Sequence, residues 1–235
     1  WQCIYCEIPN LTRGKPEPID IRLLKKELYF WLEEIVHNNF LSKHTSPGTT
    51  FKDIAFSGNG EPTAAREFGE VTQVVVEAIN DYKLVDQLTV RVITNGSNMT
   101  NKSVQKGWAA IQSIRKEVWF KIDSVMDDEI KLINQINSSL GVTKNNIEAS
   151  LSVSPTIIQT CLIKMNGQLP SNKSINAYIA FLKHYEDRLS GIHLYSLARP
   201  SEQNISIEIE RLTESELDQI ADKIRVLNVP VYAYI

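Results

Sequence analysis

The feature that most constrains the fold is a regular alternation of β-branched runs with segments of helical periodicity along the 235 residues. Strands are predicted at 51–56, 88–94, 117–123, 156–163, 192–197 and 229–234, and helices at 20–38, 66–82, 100–116, 127–136, 143–153, 175–188 and 213–226. Strands that are separated by helices need crossover connections, which favour a mainly parallel sheet. The pattern therefore predicts an α/β fold.

The number of strand–helix units narrows this α/β class. About six units are typical of an incomplete (β/α)6 TIM-like barrel, with a doubly wound sheet as the alternative. One further strand is expected upstream of Trp1, because a loop at the extreme N-terminus has no strand before it. Residues 1–200 are predicted to form the barrel, and residues 201–235 a helix–strand extension.

Composition limits the classes of partner. The formal net charge is −3, which argues against a protein coated in nucleic acid. No apolar run approaches the roughly 20 residues of a transmembrane helix, so no membrane partner is expected. No secretory signal is visible, and a cytoplasmic location is predicted.

Polar motifs follow the predicted strands where each strand ends. They comprise Ser57–Pro62, Thr94–Gly96, Lys121 with Asp123, Gln159–Cys161 and Arg199–Pro200. Barrels and doubly wound sheets both build their binding sites at the carboxyl ends of parallel strands. Either fold would therefore bring these motifs into one cleft.

A pair of cysteines, Cys3 and Cys6, opens the chain with two residues between them. A structural zinc would need four ligands, and Cys161 and the histidines are scattered without paired spacing. A thioredoxin-like dithiol is a second alternative, but the α/β array that follows is too long for that fold. An iron–sulfur cluster that is completed by a further cysteine upstream of Trp1 is the third and favoured interpretation.

Two motifs resemble those of the radical S-adenosylmethionine (radical SAM) superfamily. The stretch WQCIYCE resembles the end of its CxxxCxxC loop, and SGNGEP resembles its GGEP-type motif. The resemblance implies a [4Fe–4S] cluster held by Cys3, Cys6 and a cysteine four places before Cys3. It also implies that Tyr5 lies near the adenine of S-adenosyl-L-methionine, and that a loop cradles this cofactor. The loop residues are Gly58, Asn59, Gly60 and Glu61.

Further candidates rest on this resemblance in the case of Thr94 and Asn95, and on their places in or just past the predicted strands in the case of the others. Thr94 and Asn95 match a TNG motif that meets the cofactor, although Asn95-Gly96 is also an ordinary turn dipeptide. Lys121 and Arg199 are candidate catalytic residues; a Lys121–Asp123 structural pair and a surface ion pair of Arg199 are the alternatives. Gln159 and Tyr195 are candidate cofactor contacts. Cys161 is expected in the core, with a catalytic thiol as the other possibility.

The implied reaction is reductive cleavage of S-adenosylmethionine to a 5′-deoxyadenosyl radical, which abstracts hydrogen from a substrate. A metal-binding or dithiol redox module without radical chemistry is the alternative. The phrases FSGNGEPT, ITNG and LYSLARP resemble the wyosine-type tRNA-modifying branch and its relatives. Expected partners are an electron donor such as flavodoxin or ferredoxin, and a substrate that is tRNA, a peptide or a small metabolite.

Overall fold

A computed structural model describes residues 1–9, 14 and 16–235. Its main sheet has six parallel strands: β1 (Asp53–Phe56), β2 (Thr89–Thr94), β3 (Arg115–Lys121), β4 (Thr156–Cys161), β6 (Gly191–Tyr195) and β8 (Val231–Tyr234). A second sheet pairs β5 (Ile163–Met165) with β7 (Ile209–Arg211) in antiparallel orientation. Part of the segment between Cys6 and the first predicted helix lies outside the described residues.

Strand order decides between the two predicted architectures. The order β1-β2-β3-β4-β6-β8 follows the chain without a reversal, whereas a doubly wound sheet has a switch point where the order reverses. The α/β class is confirmed, and the sheet is an open, incomplete barrel whose end strands β1 and β8 are not paired with each other within the described residues.

Eight α-helices are described along the chain. They are α1 (Ile21–Val36), α2 (Phe40–His44), α3 (Phe68–Asp81), α4 (Lys102–Ala109), α5 (Asp127–Ile133), α6 (Leu140–Val153), α7 (Asn172–Leu182) and α8 (Glu214–Ile224). Asp20 accepts hydrogen bonds from the first turn of α1, and Thr213 forms a capping box with Glu216 at the start of α8. Asp20 and Thr213, the first residues of two predicted helical segments, are therefore the N-caps of α1 and α8.

The two faces of the sheet differ in chemistry. On one face, apolar strand residues such as Val118, Ile158 and Ile192 pack with helical residues in the main core. Side chains alternate along a strand, so the intervening residues share the other face. The register aligns Lys121, Gln159 and His193 in one row across three strands of that face. The barrel interior is therefore polar.

Several predicted boundaries are wrong. The helix expected over 100–116 ends at Ala109, and the following strand begins at Arg115 rather than at residue 117. Pairing explains the shift, because Arg115 lies opposite Thr89, the first residue of β2. The strand expected over 156–163 is divided into β4 and β5. The strand β7 has only three residues and no pattern that predicts it.

The segment 201–235 contributes to the main sheet. Its strand β8 pairs in parallel with β6, and Tyr195 lies opposite Tyr234. Apolar residues of α8, such as Leu217 and Ala221, belong to the main core. No helix of the described chain is long and apolar enough to cross a membrane.

Candidate functional site

The cysteine turn, residues 2–6, lies against the last turn of α5 and the segment that follows β6. The backbone N–H of Cys6 donates to the carbonyl of Cys3 at 2.9 Å, which closes a tight turn. The N–H of Ile4 donates to Ile133 O at 2.8 Å, and the N–H of Gln2 donates to Asn134 O at 3.4 Å. The two thiols are therefore carried by one turn that α5 fixes through main-chain contacts.

A second set of contacts to the cysteine turn comes from residues 201–203, which are far from it in the sequence. The Ser201 hydroxyl donates to Ile4 O at 2.6 Å, and the amide of Gln203 donates to Cys6 O at 3.1 Å. The backbone N–H of Glu202 also donates to Cys6 O, at 3.0 Å. These carbonyls would otherwise be unpaired in a turn, so the residues after β6 complete its hydrogen bonding.

Asp123 connects the cysteine turn to the sheet. This carboxylate lies just beyond β3 and is 8% exposed. It accepts hydrogen bonds from the Tyr5 hydroxyl at 2.6 Å, from Asn134 Nδ2 at 2.7 Å and from the Cys161 backbone N–H at 3.0 Å. Three donors from three parts of the chain stabilise a buried charge that would otherwise be costly.

Lys121 supplies the positive charge beside this carboxylate. Its ammonium group donates to the Tyr195 hydroxyl and lies 5.2 Å from the ring centroid of Tyr5 and 5.0 Å from that of Tyr195. In the described structure, the side chains of Lys121 and Asp123 do not form the direct ion pair that their spacing in the sequence allows. Lys121 instead lies between two aromatic rings, as in cation–π contacts.

The pKa shifts fix the charges around Lys121. Burial lowers the pKa of Lys121, but Asp123 and then Tyr195 outweigh it and leave the pKa raised. Burial raises the pKa of the Tyr5 and Tyr195 phenols well above the ordinary range, and Asp123 contributes in the same direction. At neutral pH the centre therefore holds one ammonium group beside two neutral phenols.

The thiols near Asp123 differ in their surroundings. Burial and then the Asp123 carboxylate raise the pKa of Cys3, while a hydrogen bond from Asn134 Nδ2, 3.3 Å from the sulfur, opposes the shift. Burial and then Asp123 also raise the pKa of Cys161, which is 2% exposed and packs with Ile4. Cys161 is thus a neutral core thiol beneath the cysteine turn.

The glycine-rich loop lies at the end of β1. Ser57, Gly58, Asn59 and Gly60 are exposed, and the N–H of Gly60 donates to Gly58 O at 2.8 Å. Gly60 has a φ of 137°, which favours glycine. This loop is the part of the predicted cofactor cradle that presents main-chain groups to solvent.

Glu61 fastens this loop to the end of β2. Its Oε1 accepts from Thr63 N at 3.1 Å and from the Thr94 hydroxyl at 2.6 Å, and its Oε2 accepts from Asn95 N at 2.7 Å. It also caps the short 3₁₀ helix Pro62–Ala64. Glu61, which the sequence predicts as a cofactor contact, therefore joins the loop after β1 to the loop after β2. Its Oε2 accepts fewer hydrogen bonds than its Oε1.

The remaining predicted residues surround this centre unequally. Asn95 and Lys121 line a cavity of about 230 Å³, together with Trp1, Asp123 and Asn134. Gln159 lies beside Lys121 on the inner face of the sheet. The side chain of Arg199 is 79% exposed, and its Nε lies 3.6 Å from Glu7, so it belongs to the rim.

The fold resembles that of a radical SAM methyltransferase. The crystal structure of that protein, from Sphaerobacter thermophilus, superposes with a TM-score of 0.54 over 89% of this chain at 14% identity. The match covers 57% of the methyltransferase chain, so this chain spans little more than half of its length. No protein-family model and no curated protein matches the sequence.

Metal-ligating side chains are few in the described part of the chain. No group of three or more His, Cys, Asp or Glu residues converges there on a common point. The four-ligand zinc site that the cysteine pair allows is thus not found among these residues. The turn supplies two thiols, and any cluster that it binds needs a further ligand.

Sequence reasoning missed Asn134, Ser201 and Gln203. Each is a single polar residue in an irregular segment, and each contacts the cysteine turn across more than a hundred positions of sequence. Asp123 was noted only as a possible partner of Lys121. Its position at the end of a predicted strand was the available signal, because residues there meet the site.

Proposed function

We propose that this protein is a radical SAM enzyme, with Cys3, Cys6 and a third cysteine upstream of Trp1 as the ligands of a [4Fe–4S] cluster. The observation that carries the proposal is the position of the cysteine turn. The turn is anchored by Asp123 and α5 at the carboxyl edge of parallel strands, the same edge at which Glu61 joins the glycine-rich loop to Asn95. The fold of the methyltransferase neighbour supports it.

The residues present fit such a cluster. Cys3 and Cys6 share one turn, and an amide N–H already points at the Cys3 sulfur, as donors do around cluster thiolates. A cluster with three protein thiolates, when bound, would supply the electron for cleaving S-adenosylmethionine at an open iron. The part of this chain is to hold that cofactor, to orient it and to exclude water.

Lys121 is the residue best suited to the cofactor's carboxylate. Its ammonium group is protonated at neutral pH, is fixed by Tyr195 and lines the cavity with Asn95. A fixed cation in a partly desolvated cavity binds a carboxylate more strongly than a solvated surface lysine does. Tyr5, Gln159 and Tyr195 would line the cofactor site beside Lys121 and make polar contacts there. Arg199 would contact the cofactor from the edge of the cavity.

Anaerobic reconstitution tests the proposal. The protein with its natural residues upstream of Trp1 is incubated with iron and sulfide, reduced with dithionite and supplied with S-adenosylmethionine. We expect a brown chromophore and release of 5′-deoxyadenosine. A preparation that binds one metal ion without sulfide, or that cycles a dithiol, would favour the alternative module without radical chemistry. Absence of both the chromophore and the nucleoside would exclude the proposal.

Replacing Lys121 by methionine should weaken the binding of S-adenosylmethionine. Loss of a buried charge-assisted hydrogen bond typically costs about 2–3 kcal/mol, and thus roughly thirty- to hundredfold in affinity. The matched control is Lys116→Met on the same strand, because Lys116 lies on the opposite, helix-covered face and donates to Trp108 O. Equilibrium binding to the reconstituted protein measures both, and equal affinities would contradict the assignment of Lys121.

The finer proposals concern substrate and partner. The wyosine-type tRNA-modifying branch is supported by the phrases FSGNGEPT, ITNG and LYSLARP. A tRNA substrate would bind with steep salt dependence, whereas a peptide or small metabolite would not. Flavodoxin or ferredoxin in the cytoplasm would serve as the electron donor. We propose that residues 1–200 are the catalytic part of the barrel, and that 201–235 brace it and add its last strand, β8.

A further inference from the structure

Asn134 is a buried amide between the cysteine turn and Asp123. It directly follows α5 and is 2% exposed. Its Nδ2 lies 2.7 Å from Asp123 Oδ2 and 3.3 Å from the sulfur of Cys3. The two hydrogens of one nitrogen are thus divided between a carboxylate and a thiol.

The orientation of this amide is fixed by chemistry. The nitrogen of Asn134, not its oxygen, faces Asp123 Oδ2, because this oxygen accepts from both Asn134 and the Tyr5 hydroxyl and cannot accept from an amide oxygen. Asp123 is held in turn by the Tyr5 hydroxyl and the Cys161 backbone N–H. The amide therefore cannot rotate its donor away from Cys3 without losing a buried hydrogen bond to a charge.

We infer that Asn134 is a positioning residue that orients the Cys3 sulfur and raises the reduction potential of the cluster bound to it. The inference rests on the proposed function. A hydrogen bond to a cluster sulfur stabilises the more negative, reduced state, and such bonds are among the factors that set cluster potentials. Through its two hydrogen bonds, Asn134 links Asp123, at the end of β3, to the Cys3 sulfur.

A purely structural role of Asn134 can be separated from this one. The main chain of α5 already fixes the cysteine turn, because Ile133 O and Asn134 O accept from Ile4 and Gln2. These two bonds do not involve the Asn134 side chain. A substitution that keeps the shape of the side chain therefore removes the donor to sulfur and leaves the main-chain attachment in place.

The test is Asn134→Leu in the reconstituted full-length protein. Leucine is close to asparagine in shape and has no donor, so we expect the midpoint potential of the cluster to shift to a more negative value. The control is Thr72→Val, which also removes a buried donor, 0% exposed, but one that donates to Phe68 O within α3 and lies outside the cavity. Its midpoint potential should equal that of the wild type.

A second measurement does not depend on how stable the variant is. Pulsed EPR of the reduced wild-type cluster, with isotopically labelled asparagine, should reveal a weak coupling to an asparagine nitrogen. The possible results distinguish failure of this inference from failure of the proposed function. A wild-type cluster without this coupling, or an unchanged midpoint potential in Asn134→Leu, overturns the inference and leaves the proposed function intact. A wild-type protein that takes up no cluster overturns both.

Discussion

Replacing Cys3 by serine is expected to abolish cluster binding and the cleavage of S-adenosylmethionine. Iron–sulfur clusters are held by thiolates, and a serine hydroxyl is a harder ligand that ionises far less readily. Cys3 also carries the sulfur that receives the Asn134 hydrogen bond. Its loss leaves a cluster with too few protein ligands and without that oriented donor. Iron and sulfide content, visible absorbance and 5′-deoxyadenosine release measure the effect.

Cys161→Ser is the matched control for this prediction. Cys161 lies beneath the turn, 2% exposed in an apolar cluster with Ile163 and Leu197, and burial keeps it a neutral thiol. Serine there should lower the free energy of unfolding by about 1–3 kcal/mol, because it buries a hydroxyl, and should leave the iron content unchanged. Equal iron in the wild type and Cys3→Ser, or loss of iron only in Cys161→Ser, would refute the ligand assignment.

The sheet could be predicted from sequence because each predicted element is marked by residues that are close together in the chain. Each strand is a short β-branched run, each helix has its own apolar period, and crossover handedness then permits few arrangements. That Lys121 and Asp123 lie near each other at one edge of the sheet was predictable, because both are at the end of a strand. Asn134, Ser201 and Gln203 act by single hydrogen bonds to a turn more than a hundred residues away. No periodicity marks such contacts.

Glu61 has a larger structural role than its sequence motif suggests. A carboxylate after a glycine-rich turn can bind a ligand or cap a helix, and both uses produce the same sequence pattern. In the structure its oxygens accept from Thr63, Thr94 and Asn95. The motif thus sets the relative position of two loops at the site, and any ligand contact by Glu61 would use the remaining capacity of Oε2.

Gly96→Ala should be strongly destabilising, although the residue lies in the same strand-end motif as Asn95. Gly96 has a φ of +77°, and a Cβ atom there would lie 2.2 Å from Cζ of Phe120. The Phe120 ring is 1% exposed and packs in the main core. Overpacking costs about 1–3 kcal/mol and the left-handed backbone about 1–2 kcal/mol more. We expect the free energy of unfolding to fall by about 2–5 kcal/mol in a denaturant titration.

Two variants separate the ring contact from the backbone conformation. Gly141→Ala, on the first turn of α6, has Ser139 Oγ at 3.6 Å as the nearest atom and should unfold within about 1 kcal/mol of the wild type. In a Phe120→Ala background the obstructing ring is absent, so Gly96→Ala should cost only the backbone part, about 1–2 kcal/mol. If its cost were the same in both backgrounds, the left-handed backbone, not the Phe120 ring, would be the reason for glycine.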